Sequence, residues 1–154
     1  MKKNIKNKIS RIVKKGGVVF MGVGNPLRSD DYAGLYVISK LKGDIFIDAG
    51  QMPENYTGRI AKIKPRKVLI VDAVDFKAAP GEIGIFDASQ AGEFNFSTHG
   101  MSLGLFSSQL KQYGVESVLL VGIQPQSLEI KENTLSAVVK KTADELIEIL
   151  KGGV

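Results

Sequence analysis

Three short apolar runs set the limits on how this chain can fold. Residues 18–23, 45–47 and 68–71 consist almost wholly of Val, Ile, Leu, Phe and Met, each stops at a glycine or an aspartate, and amphipathic stretches of helical length separate them. Runs of this kind mark strands buried on both faces, and strands joined through helices lie parallel in one sheet. After the first run comes a turn-rich loop, Asn25-Pro26-Leu27-Arg28-Ser29-Asp30. Ser29 or Asp30 is placed to cap a helix reaching about Leu41, with Ala33, Val37, Ile38 and Leu41 on its apolar face. A second helix is expected to open at Pro53-Glu54 and to stop before Pro65.

The third strand is expected to close at Asp72, and the connection after it is of another kind. Only about nine residues, Pro80-Gly81 among them, separate it from the next strand at 82–86. A parallel crossover needs a dozen or more, so this fourth strand is expected to run antiparallel to the third. A helix over 99–112 turns Leu103, Phe106 and Leu110 inward, and a fifth strand over 118–123 ends before Pro125. The last helix carries Leu135, Val138, Val139, Leu146, Ile149 and Leu150 at helical spacing. The order β-α-β-α-β-β-α-β-α implies a three-layer α/β/α sandwich, its five-stranded mixed sheet mostly parallel with one antiparallel strand. The 154 residues suit one domain, taken as 17–154, preceded by a basic arm or extra helix at 1–16 with Ile5, Ile9 and Ile12 on one side.

The formal net charge of +5 points to nucleic acid only until its distribution is considered. Lys2, Lys3, Lys6, Lys8, Arg11, Lys14 and Lys15 all precede the first acid, Asp30; removing these seven from 21 leaves 14 basic against 16 acidic residues. There is no Trp and no basic-aromatic stripe of the sort single-strand binders use, so no nucleic-acid partner is expected. The absence of cysteine excludes disulfides, a thiol nucleophile and a thiolate metal site built by this chain alone. No apolar run approaches a membrane span, and the basic start lacks the apolar segment of a secretory signal, so a cytoplasmic protein is expected.

In open α/β sheets ligands bind beyond the carboxyl ends of the parallel strands. Three strand ends bring carboxylates to that edge: Asp30 and Asp31 after the first, Asp48 after the second, Asp72 and Asp75 after the third. His99, the only histidine, lies in a Ser-Thr-His-Gly loop before a helix and can reach the same edge. Two carboxylates and an imidazole suit a borderline divalent ion with open coordination positions, or an acid-base pair. Each residue also has a plainer reading. Asp30 fits a helix N-terminal acid favoured by the dipole, and Asp48 and Asp75 fit turn or supporting residues. Gly22-x-Gly24 resembles the opening of a dinucleotide fingerprint, but Leu27 stands where its third glycine belongs.

The segments that carry these residues resemble the hydrogenase maturation endopeptidases. GVGNPLRSDDYAG is similar to the opening strand, loop and helix of that family, IDAGQMPEN to its second-strand segment in members serving hydrogenase-3-type enzymes, and RKVLIVDAVDFKAAPGEIGIFD to its central strand and Pro-Gly turn. STHGMSL resembles its histidine loop and VLLVGIQPQSLE its last strand with a Gly-x-Gln-Pro ending. The likeness spans roughly residues 17–150 and leaves the basic arm outside. It implies that nickel is contacted by Asp31, Asp72 and His99. Many members carry glutamate at the first of these, so Asp31 is one methylene shorter. The resemblance further implies that the nickel is carried by the substrate, the precursor of the hydrogenase large subunit, which is cut just beyond a C-terminal Cys-x-x-Cys motif. It leaves open whether the metal activates water and polarises the scissile carbonyl, or serves recognition while a carboxylate is the base.

Three other readings remain to be separated from this one. A nickel-sensing chaperone would use the same residues and cut nothing. A nucleotide-binding regulatory domain would place phosphate at Gly22–24. A serine hydrolase could draw on Ser97, Ser102 or Ser107, but the chain has no Gly-x-Ser-x-Gly elbow. Nothing in the sequence calls for an oligomer, and a monomer is expected.

Overall fold

A computed structural model describes residues 1–93, 95–96 and 102–152. The chain forms α1 (Lys3–Lys15), β1 (Val18–Gly22), α2 (Ala33–Ser39), β2 (Phe46–Asp48), α3 (Thr57–Ile63), β3 (Lys67–Asp75), β4 (Ile83–Asp87), β5 (Asn95–Phe96), α4 (Leu103–Gln112), β6 (Ser117–Ile123) and α5 (Ala137–Lys151). Tight 3-10 turns, Ser29–Tyr32 and Pro53–Tyr56, lead into α2 and α3. The main sheet runs β2-β1-β3-β6-β4, with β4 antiparallel to β6 and the other pairs parallel.

All five residues of β1 are buried, and their side chains alternate between two cores. Val18 and Phe20 join Leu69, Val71, Val121 and Ile123 beneath α1, α2 and α5. Val19 and Met21 join Ile47, Val68, Ile70, Val118 and Leu120 beneath α3 and α4. The sandwich therefore has the three layers that the apolar runs imply. α1 shares the first core, with Ile9 and Val13 buried and Ile5 and Ile12 partly so.

The structure adds detail to the sequence reading at β4 and departs from it at the end of β3, at the start of α2 and at α4, which begins at Leu103, residues 99–101 of the expected helix lying outside the described residues. β4 is antiparallel as the short 76–82 connection requires, yet it lies beside β6, which is inserted between it and β3. Connection length fixes direction and leaves the choice of neighbour open. β3 does not stop at Asp72 but continues to Asp75, because β6 pairs with it as far as Ala73 and the two-residue β5 pairs antiparallel with Val74 and Asp75. Neither Ser29 nor Asp30 caps the α2 segment with its side chain.

Two features hold the loop between β1 and α2. The first is close backbone approach. A Cβ on Gly34 would lie 2.1 Å from the Val71 carbonyl oxygen, one on Gly22 2.5 Å from that of Gly34, and one on Gly24 2.1 Å from that of Asp31. The Gly22-x-Gly24 pair and Gly34 thus let the loop and helix press on the ends of β1 and β3, which accounts for the glycines without a bound phosphate. The second feature is a latch. Asp30 is fully buried; its carboxylate accepts the backbone N–H groups of Gln126 (2.8 Å), Ser127 (3.0 Å) and Ser136 (2.7 Å), and the Ser136 hydroxyl donates to it at 2.8 Å. Main-chain bonds complete the join: Ser29 N–H to Lys131 O, Asp30 N–H to Ser127 O, and Asn133 N–H to Pro26 O. The connection from β6 to α5 is thereby tied to the connection from β1 to α2.

Gly34→Ala is expected to cost about 1–3 kcal/mol despite its gain in helix propensity, because the methyl meets backbone that cannot turn aside. Thermal unfolding measures this as a fall of several degrees. Asp30→Ala is expected to cost about 3–5 kcal/mol, since buried amides lose a charged acceptor, while Ser136→Ala, which removes one hydroxyl and keeps the carboxylate, costs about 1 kcal/mol. Urea unfolding of the two variants tests that order.

Candidate active site

Asp72 sits where the central strand outruns its neighbour. β1 pairs with β3 as far as Gly22 opposite Val71, so Asp72 is the first residue of β3 beyond the end of β1, still paired with Gly122 of β6. It is completely buried, and its Oδ1 accepts the Ala73 N–H at 2.8 Å. Strand alternation places its side chain on the face of Ile70 and Val74, the side covered by α3 and α4.

Asp31 comes to the same edge from the turn Ser29–Tyr32, which packs against β3. It is buried, and its backbone is fixed at both ends: the N–H donates to Arg28 O, and the carbonyl accepts the Asn25 N–H, both at 3.0 Å. Gly34, three residues on, rests over the carbonyl of Val71, the residue before Asp72. Two buried carboxylates therefore stand at the ends of neighbouring strands. Ionised, such groups only accept hydrogen bonds, and burial makes them costly unless hydrogen-bond donors, cations or protons compensate. Two carboxyl groups at one strand edge are the group types that a metal dock or an acid-base pair uses. His99, the third member of the sequence-derived set, lies outside the described residues, as does Ser97. Among the described residues no group of three or more His, Cys, Asp or Glu side chains is arranged to hold an ion.

The other acids have structural work. Asp30 is the latch, a tertiary role invisible in its position before a helix. Asp48 accepts the Gly50 N–H at 3.1 Å and so shapes the turn after β2. Asp75 accepts the Lys77 N–H (3.1 Å) and the Gln124 side-chain amide (3.2 Å); these bonds, the backbone one first, hold its carboxyl below the ordinary value. Gln124 is a residue that sequence reasoning passed over. Buried just past β6, it also takes the N–H groups of Phe76 (2.9 Å) and Ala78 (3.2 Å) on its Oε1, and so folds the 76–82 connection against the edge. Its only signal was the Gln-Pro pair itself. Of the serines, Ser102 caps α4 by accepting the Leu105 N–H, and Ser107 is buried in that helix. The Ser102 hydroxyl is engaged as a cap, and that of Ser107 is shut off from solvent.

The HycI hydrogenase maturation protease family model matches residues 36–152. The hydrogenase 3 maturation protease of Escherichia coli K12 is 40% identical over 113 residues, which is 70% of this chain and 72% of that one. The crystal structure of the [NiFe] hydrogenase maturation protease HycI from Thermococcus kodakarensis superposes with a TM-score of 0.75 at 35% identity, covering 87% of this chain and 92% of that one. The solution structure of the endopeptidase HycI from Escherichia coli gives 0.75 at 33%, over 88% and 89%. Matched along most of its length in sequence and in fold, the chain belongs to the hydrogenase maturation protease family and is an endopeptidase of hydrogenase maturation.

Proposed function

We propose that this endopeptidase cleaves the C-terminal extension from the precursor of a [NiFe] hydrogenase large subunit once nickel is in place, and that Asp31, Asp72 and His99 contact the nickel carried by that precursor. The observation that carries the reading is the burial of Asp31 and Asp72 at the ends of adjacent strands, where α/β enzymes bind ligands. The chain path supports the part of His99. Phe96, three residues before it, pairs with Val74, two residues beyond Asp72. Three residues reach at most about 10 Å. Nickel here is part of the substrate, and its open coordination positions are what two carboxylates and an imidazole can fill.

In this mechanism a precursor without nickel lacks the shared ligand and is left uncut. A difference of about 3–4 kcal/mol gives more than a hundredfold discrimination. Water adds to the scissile carbonyl carbon; one of the carboxylates takes its proton and delivers it to the leaving amine as the peptide bond breaks. The metal holds the tail at the acids, so orientation supplies part of the rate. The connection from β1 to α2 keeps Asp31 in place while this happens, and β3 keeps Asp72.

No helix in the described residues is long and apolar enough to cross a membrane. Intact-mass measurement after incubation with nickel-loaded and nickel-free precursor tests the reading: only the loaded form is expected to lose its extension. Asp72→Asn and His99→Ala are each expected to slow processing at least about a hundredfold, with the circular dichroism spectrum unchanged. Equal cutting of both precursor forms, or full activity of the His99 variant, overturns the assignment.

A further inference from the structure

Six large apolar side chains are well exposed among the described residues, and their distribution is uneven. Leu27 (53% exposed) follows β1, Met52 (49%) follows β2, Leu105 (53%) lies in the first turn of α4, and Ile130 (87%) follows β6. These four stand in segments that leave the carboxyl edge of the sheet, where Asp31 and Asp72 lie. Tyr113, by contrast, ends α4 at the opposite edge, and Val138 (37%), the sixth, lies in the first turn of α5. Exposed apolar groups gathered on one face mark contact surfaces, whereas scattered ones need no explanation.

The geometry points to a docking rim for the folded body of the large-subunit precursor, with Leu27 and Ile130 as its principal contacts. This deepens the proposed function and rests on it for the partner's identity. Three observations favour a folded surface over the tail alone. The four side chains come from four separate segments. The Ile130 segment, though it follows β6, lies against the loop after β1, so the rim joins chain stretches that are remote in sequence. And the acids lie buried inside this edge, leaving the tail to enter it while the rim meets what surrounds the tail.

The rim is also held in advance of binding. Leu27 and Ile130 would be two independent loop tips were it not for the Asp30 latch. The paired backbone at Arg28 and Lys131 and the bond from Asn133 N–H to Pro26 O make one platform of them. A platform ordered beforehand loses less entropy on binding than two free loops. The charges around the apolar pair are mixed, Arg28 and Lys131 with Glu129, which pairs with Lys131, and Glu132, so the matching face of the precursor is an apolar patch with a polar border of both signs.

The test uses the whole protein carrying Leu27→Ser and Ile130→Ser together, and Tyr113→Ser as a control. Affinity is measured by calorimetry against purified nickel-loaded precursor, nickel-free precursor and a synthetic C-terminal tail peptide; cleavage of the loaded precursor by the wild type is followed separately. The double variant is expected to bind both precursor forms at least tenfold more weakly, by a similar factor for each, with the tail peptide and the melting temperature unaffected. The control is expected to bind as the wild type does. Unchanged precursor affinity, or a loss confined to the tail peptide, overturns the rim. If the wild type cleaves the loaded precursor and the double variant still binds normally, the rim fails and the proposed function stands. If the double variant loses binding while the wild type cuts nothing, the reverse holds.

Discussion

The carboxyl edge of this molecule is organised by one buried anion. The Asp30 carboxylate takes three backbone N–H groups and a hydroxyl from the 126–136 segment, and the loop that carries it also carries Asp31. Charge-assisted bonds to main-chain donors are strong, and buried amides deprived of an acceptor are expensive, so the connection gains from being made and loses from being broken. The helix α5 is reached only after the chain has passed through this join. The placement of Asp31 thus depends on a residue that need not touch the substrate at all.

Glycine supplies the complementary constraint. α2 can lie on the ends of β1 and β3 only because Gly22 and Gly34 bring no Cβ to the contact. In the sequence these residues looked like part of a phosphate-binding fingerprint. In the structure the same lack of a side chain serves backbone-to-backbone contact inside the protein, and the exposed Leu27 shows why the third glycine of the fingerprint is missing: its position faces solvent, not a helix-strand junction. One local pattern admits both uses, and only the surroundings distinguish them.

Legibility in the sequence divides along the same line. The apolar runs at 18–23 and 68–71 disclosed strands buried on both faces, since burial leaves a compositional trace at each position. The antiparallel direction of β4 was legible too, because a short connection cannot cross over. The placing of β6 between β3 and β4 was not, since it rests on contacts between residues far apart in the chain. Asp30 and Asp31 make the point most sharply: adjacent, identical in type and both buried, they differ only in what lies across from them, which for Asp30 is a segment some hundred residues later. Gln124 was overlooked for the same reason, as its partners at 76–78 are separated from it in sequence by α4 and several strands.

The proposed dock and rim have different thermodynamic consequences, and that difference limits how strong the rim can be. Contacts to the precursor's folded surface are the same whether or not nickel is present, so they raise the affinity of both forms and discriminate between neither. Only the contacts to the metal separate them. A rim that bound too tightly would hold the unloaded precursor as a dead-end complex, however selective the metal site. A small apolar pair flanked by screened surface charges satisfies this requirement, giving an encounter long enough for the tail to sample the edge and short enough for an empty precursor to leave. The acids then need supply no more than the difference in affinity, which is within reach of two carboxylates and an imidazole completing a coordination shell that the precursor's own ligands leave open.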